Sequence, residues 1–444
     1  MSSDLVLAHV VGHRDGPIPL SYALVAGAVA LYASFEALRL RWQRSKFAGD
    51  TTGRPIRERT QFVLDAPATR WLARGGVLAA TAAVVLTAAL GGQSDENPSI
   101  SFVYVLFWVG FVPLSLLLGP IWRAVNPIRT VHAVVSALLR RPAERGLLPL
   151  PGWLGYWPAA SGLFAFAWLE LAAPGRTQPA TLLIWFSCYA GIHLVAALVF
   201  GSKWLDRGDA FEVYFGLIGR LAPWGRRDDG VLVRRHPLDG VDGTPQRRGL
   251  VALVSVMLGA TAYDSLSNTS WWKGVLASSA GAPAVAAAGL LGVVVAISAA
   301  FGGSAYLAGL LARLQARGLA TRLAHSVIPI VVGYVLAHYL SVLLVGLQDG
   351  FEVTVAAMNG TAHAGELGSV HSAHTPAPAR LPDPFVMSAI QVTAVLAGHV
   401  VGIVSTHDRA VRLFPAKLAV RAQVPLFVCM LAFTLGGLVL LYRS

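Results

Sequence analysis

Charged residues are scarce in this sequence: Asp, Glu, Lys and Arg make up 13% of 444 residues, against 55% hydrophobic ones. A water-soluble chain carries about 25% charged residues, so a fold whose whole surface meets water is excluded. Cysteine is nearly absent. Cys188 and Cys429 both fall inside apolar runs, which argues against a disulfide framework or a thiolate metal centre. Also missing are a phosphate-binding glycine loop, a strand-to-helix nucleophile elbow, a His-Glu-x-x-His signature and a Cys-x-x-Cys-His haem attachment. No hydrophilic stretch is long enough for a nucleotide-hydrolysing domain, which excludes a pump with its own ATP motor. The N-terminus has no basic segment leading into a short apolar one, so the first apolar run is expected to direct insertion itself.

Long apolar runs are what the chain has in quantity. They fall at about Pro19–Leu40, Leu72–Leu90, Phe102–Gly119, Leu154–Ala173, Ala180–Phe200, Leu250–Ser267, Pro283–Leu311, Ser326–Leu347, Phe385–Ser405 and Val424–Tyr442. About 20 helical residues cross the hydrocarbon layer. The expected fold class is therefore all-α, a polytopic transmembrane helical bundle of about ten spans, with residues 1–444 as one membrane domain.

The net charge of +12 sits in loops. Basic loops follow the first, third, fifth, seventh and ninth runs, while 93–100, 174–178, 268–282 and 348–384 hold few Lys or Arg. This alternation predicts basic loops in the cytoplasm and both termini outside. The expected partner is the lipid bilayer. Nucleic acid is not expected, because the charge follows the spans rather than forming a patch. The longest basic loop, 203–249, is expected to carry an interfacial helix over Arg207–Leu221 with Phe211, Phe215 and Ile218 on one face. The loop 348–384 is expected outside. It holds His363, His371 and His374, and His9 and His13 lie near the N-terminus. Histidine-rich exteriors can bind copper or zinc. The Ala, Gly, Ser, Thr and Pro around them favour a plain solvated loop.

An ionisable side chain inside a span is costly and needs a partner, a cavity or a function. The candidates are His193 in the fifth run, Asp264 in the sixth, Tyr334 and His338 in the eighth, and Gln391, His399 and His407 in the ninth. Tyr334 and His338 are four apart and share a helix face. Gln391, His399 and His407 recur every eight residues as a slanted polar stripe. One reading makes His193, His338 and His399 ligands of a divalent transition metal, with Asp264 as the catalytic carboxylate beside it. Tyr334, Gln391 and His407 would then line the same polar cavity. The competing reading is that these side chains bond across helices and hold the bundle together.

Several segments together resemble bacterial multi-pass membrane proteins labelled fenitrothion hydrolase. They are Ala8-His9-Val10-Val11-Gly12, Trp122-Arg123-Ala124-Val125-Asn126-Pro127, Phe166-Ala167-Trp168-Leu169-Glu170-Leu171, Arg207-Gly208-Asp209-Ala210-Phe211-Glu212, Ala262-Tyr263-Asp264-Ser265, Ala337-His338-Tyr339 and Gly398-His399 with His407-Asp408. The resemblance extends over nearly the whole chain. It implies hydrolysis of an organophosphate ester and carries no catalytic residues with it. Three functions therefore compete: a membrane-embedded metal-dependent hydrolase, a proton-coupled transporter or channel using a His/Asp relay, and a non-catalytic scaffold of a membrane complex.

Overall fold

The computed structural model describes residues 18–93, 97–358 and 381–443. The exterior histidines His9, His13, His363, His371 and His374 lie outside these residues. The chain opens with α1 (Leu20–Arg41), α2 (Pro67–Leu90) and α3 (Pro98–Leu118). Next come α4 (Trp157–Leu171), α5 (Pro179–Phe200) and the short α6 (Ala210–Ile218). It finishes with α7 (Leu250–Asn268), α8 (Ala282–Leu311), α9 (Val327–Met358), α10 (Pro384–Leu413) and α11 (Ala419–Arg443). Among the described residues nine helices, all of these but α4 and α6, are long and apolar enough to cross a membrane. The chain is an all-α polytopic bundle. Its outward faces carry Val25, Val29, Ile184, Ile192, Leu291 and Val295 exposed, an apolar rim that water would not tolerate and lipid does.

Local chemistry sets the helix ends. Proline stands in the first turn of α2, α5, α8 and α10, where its missing N–H costs nothing. The Asp383 side chain accepts from Phe385 N at 2.8 Å and caps α10. Inside α3, Pro113 cannot donate and its ring crowds the carbonyl four residues back. The preceding Phe102–Val109 stretch widens to π-type turns, with Gly110 N bonded to Val105 O at 2.8 Å. That widening turns Tyr104, Phe107 and Trp108 together toward the interior, where all three are buried.

The expected fourth span is shorter than its apolar run. At about 1.5 Å per residue the 15 residues of α4 cover about 22 Å, less than the hydrocarbon layer of about 30 Å. Its ends nevertheless reach opposite sides of the bundle. Tyr156 N bonds Arg248 O at 2.7 Å, beside the basic loops. At the far end Tyr104 Oη donates to Arg176 O at 3.0 Å and Ala180 N to Gln93 Oε1 at 3.2 Å. Ala159, Ala160, Leu163, Phe166 and Leu169 are all buried. A helix wrapped by protein on this scale need not match the bilayer in length.

The expected interfacial helix also differs. Every residue of α6 except Gly216 is buried, so it lies inside the bundle rather than on its surface. Phe211 packs on Phe107 and Phe166 at 4.9 and 5.1 Å, and Tyr214 stacks on Trp108 at 4.6 Å. A helix apolar on all sides belongs in a core.

On the side of the basic loops, three short antiparallel strands form a sheet. They are β1 (Arg54–Pro55), β2 (Trp224–Arg226) and β3 (Leu232–Arg234), in the order β1-β3-β2. This cap is locked to the bundle through carboxylates, Asp242 and Asp408 buried and Asp50 half-buried. Asp408 accepts from Trp42 Nε1 at 2.9 Å, Ser45 Oγ at 2.7 Å and Lys46 N at 2.6 Å. Asp242 takes Arg409 and Arg412, and Asp50 takes Arg220 and Arg235.

Candidate functional site

Asp264 lies near the end of α7, and His338 and Tyr339 follow one another on α9. His338 Nε2 stands 3.0 Å from Asp264 Oδ2, and Tyr339 Oη donates to the same oxygen at 2.7 Å. A carboxylate at Nε2 favours the tautomer that carries its proton there, in which Nδ1 accepts. Ser265 Oγ lies 3.3 Å from that Nδ1 and 2.8 Å from Tyr334 Oη. A chain of polar atoms thus runs Tyr334, Ser265, His338, Asp264, Tyr339 through an apolar interior, with all five residues buried. The Tyr334 ring stacks on His338 at an interplanar angle of 16°.

One carboxylate at this site has no counterpart among the expected residues. Glu170, in the last turn of α4, accepts from the Trp108 side chain and feels the charges of Asp264 and Arg176. It also lies within electrostatic range of Tyr104, Tyr214 and Tyr339. Glu170 and Arg176 are both only partly buried, whereas Asp264 is buried. The signal was present in the sequence: an acid inside the fourth apolar run, subject to the same cost as Asp264.

The other expected residues stand elsewhere. His193 on α5 accepts from Trp204 Nε1 at 3.0 Å through Nδ1, and its ring packs on Tyr189 at 4.2 Å. His399 on α10 pairs Nδ1 with Val395 O of its own helix at 2.9 Å, and its buried Nε2 has no partner among the described residues. His407 is held between Gln423 Oε1 at 2.8 Å and Trp42 O at 2.9 Å, at the cap. Gln391 is half-buried and takes no part in the cluster. Of the three expected metal ligands only His338 joins Asp264. Among the described residues no group of three or more His, Cys, Asp or Glu side chains is placed to hold a metal ion. The residue types suited a metal, but their helices set them apart.

His193 instead borders a second polar network around α6. Asp209 caps this helix, accepting from Phe211 N and Glu212 N at 3.0 and 3.2 Å. It also accepts from Tyr189 Oη and Asn126 Nδ2, each at 2.8 Å. Glu212 meets Arg129 at 2.5 Å and Asn126 at 3.0 Å. Burial pushes the Glu212 carboxyl up to about 7 against the pull of Arg129, with Asp209 and Asp206 adding to the rise.

Comparison with family models, curated proteins and solved structures gives no match. Function has to be argued from this geometry.

Proposed function

We propose that the chain is a proton-coupled transporter or channel, with Asp264, His338 and Tyr339 as its protonation site and Glu170 beside them. The observation that carries this is the company Asp264 keeps: an imidazole and a phenol brought to the same buried carboxylate oxygen. Such partners can exchange a proton with the carboxylate. Intramembrane Asp, Glu and His chains are the usual furniture of proton paths. The loop-charge alternation supports a cytoplasmic basic side with both termini outside, and the resemblance supports a bacterial plasma membrane.

The test is proton flux in vesicles. The purified chain is reconstituted around a pH-sensitive dye and an imposed potassium diffusion potential is applied. Wild type is expected to acidify or alkalinise the lumen at least tenfold faster than empty vesicles, and Asp264→Asn to return the rate to that of empty vesicles. Equal rates for wild type and a well-folded Asp264→Asn would sink the proposal.

One observation favours a hydrolase as second reading, in line with the family resemblance. Ser265, His338 and Asp264 are linked in the order of a serine nucleophile, its base and an orienting acid. It ranks second because Ser265 is 0% exposed and its hydroxyl is shared with Tyr334. Covalent labelling of Ser265 by a fluorophosphonate, abolished in Ser265→Ala, would reverse the ranking.

A further inference from the structure

Where α4 begins, three basic side chains converge on one tyrosine. The charges of Arg247, Arg220 and Arg207 all act on Tyr156, and the Arg247 guanidinium lies 5.2 Å from the centre of its ring. The nearby acids are already taken. Asp206 Oδ1 binds Arg123 and Arg129 at 2.9 and 2.8 Å, and Asp50 holds Arg220 and Arg235. Arg247 reaches only the backbone oxygen of Asp206, at 3.4 Å. The half-buried Arg207 side chain makes no hydrogen bond or ion pair among the described residues. Two positive charges are therefore left over at a place where the backbone is well fixed. Leu148 N bonds Val199 O and Ser202 N bonds Ala143 O, each at 2.8 Å, tying the 143–148 segment to the end of α5.

That same segment and the start of α4 expose large apolar side chains: Leu147, Leu148, Trp153 and Trp157. Tryptophan at the end of a span marks the level of lipid headgroups. Arginine matches a phosphate with two parallel bonds. From this juxtaposition we infer that Arg207 and Arg247, beside Tyr156, form a binding site for the phosphate of an anionic phospholipid whose acyl chains lie along Leu148, Trp153 and Trp157. The indoles and leucines favour a lipid over a free anion, since a free phosphate has no use for them. The site is distinct from the Asp264–His338 cluster and does not depend on how that cluster works.

The experiment is lipid binding by the full chain in nanodiscs, read by native mass spectrometry after detergent release, with phosphatidylglycerol against phosphatidylcholine. Wild type is expected to retain phosphatidylglycerol in preference to phosphatidylcholine. A basic side chain at the membrane surface contributes about 1 kcal/mol to anionic lipid binding, which converts to about fivefold in affinity per charge. Arg207→Gln is therefore expected to weaken retention about fivefold and Arg207→Gln/Arg247→Gln about 25-fold. Arg207 holds nothing inside the protein, so its single variant folds even if the double one does not. Arg313→Gln, an exposed arginine beyond α8, serves as control and leaves retention unchanged. Undiminished retention in Arg207→Gln, or equal retention of phosphatidylcholine, would overturn the site. Displacement of the lipid by millimolar inorganic phosphate would overturn its assignment to a lipid.

Discussion

Two groups of buried carboxylates hold this molecule, and they are answered by different chemistry. At the cap, Asp242 meets two guanidinium groups, and Asp408 meets an indole N–H, a hydroxyl and backbone N–H groups. None of those partners gives up a proton near neutral pH. Within the bundle Asp264 meets an imidazole and a phenol. The first arrangement fixes a charge and with it the docking of loops onto α10. The second gathers an imidazole and a phenol at one carboxylate oxygen, the arrangement on which the proposed function rests. Burial alone does not distinguish these two kinds of acid; the proton chemistry of their partners does.

The largest expected effect lies at the cap. Asp242→Ala leaves Arg409 buried without its acid, and breaking a buried ion pair by removing one partner costs about 3–5 kcal/mol. Thermal unfolding in detergent should show that loss, with little folded protein recovered. Asp264→Asn keeps an acceptor for Tyr339, and its stability loss is expected at about 1–2 kcal/mol. The comparison breaks if Asp264→Asn is the more damaging of the two.

The histidines sharpen it at smaller cost. His407 is clasped between Gln423 and Trp42 O, and His338 sits between Asp264 and Ser265. Each glutamine replacement is expected to lose about 1–2 kcal/mol. Only His338→Gln should also abolish proton flux in vesicles. Flux lost in both would place the cap histidine on the path and erase the distinction.

Much of this was legible in the sequence, and the gaps have physical causes. The spans were legible because apolar length is a one-dimensional property. Asp264, His338 and Tyr334 stood out as polar residues in apolar helices, and they do meet. His193 and His399 stood out for the same reason yet joined neither each other nor His338, because a single sequence does not encode which helices are neighbours. Glu170 was overlooked although it obeys the same rule as Asp264; its run ends three residues later and reads as a span terminus. In α6, Phe211, Phe215 and Ile218 suggested one apolar face. Val213, Tyr214 and Leu217 make the opposite face apolar as well, which is the mark of a buried helix.

Glu212 stands between the two kinds of carboxylate, since it has a guanidinium partner in Arg129 but a carboxyl raised to about 7 by burial. Relative to its ordinary value of 4.5, the folded state holds a proton that the unfolded chain releases. The sign follows from linkage: stability falls with pH wherever the native state binds more protons. The contribution of Glu212 is therefore fully present below pH 4.5 and is lost as pH rises through 7. The groups facing it are Arg129, Asp209, Asp206 and Asn126, so Glu212→Gln keeps an acceptor for Arg129 while removing the titration. Unfolding temperatures of wild type and Glu212→Gln, measured from pH 5 to 8, should differ by a slope of at most one proton, about 1.4 kcal/mol per pH unit. A wild type whose pH dependence matches the variant's over this range would mean that Arg129 holds Glu212 charged throughout. Glu212 would then belong with Asp242, among the acids whose charge is fixed.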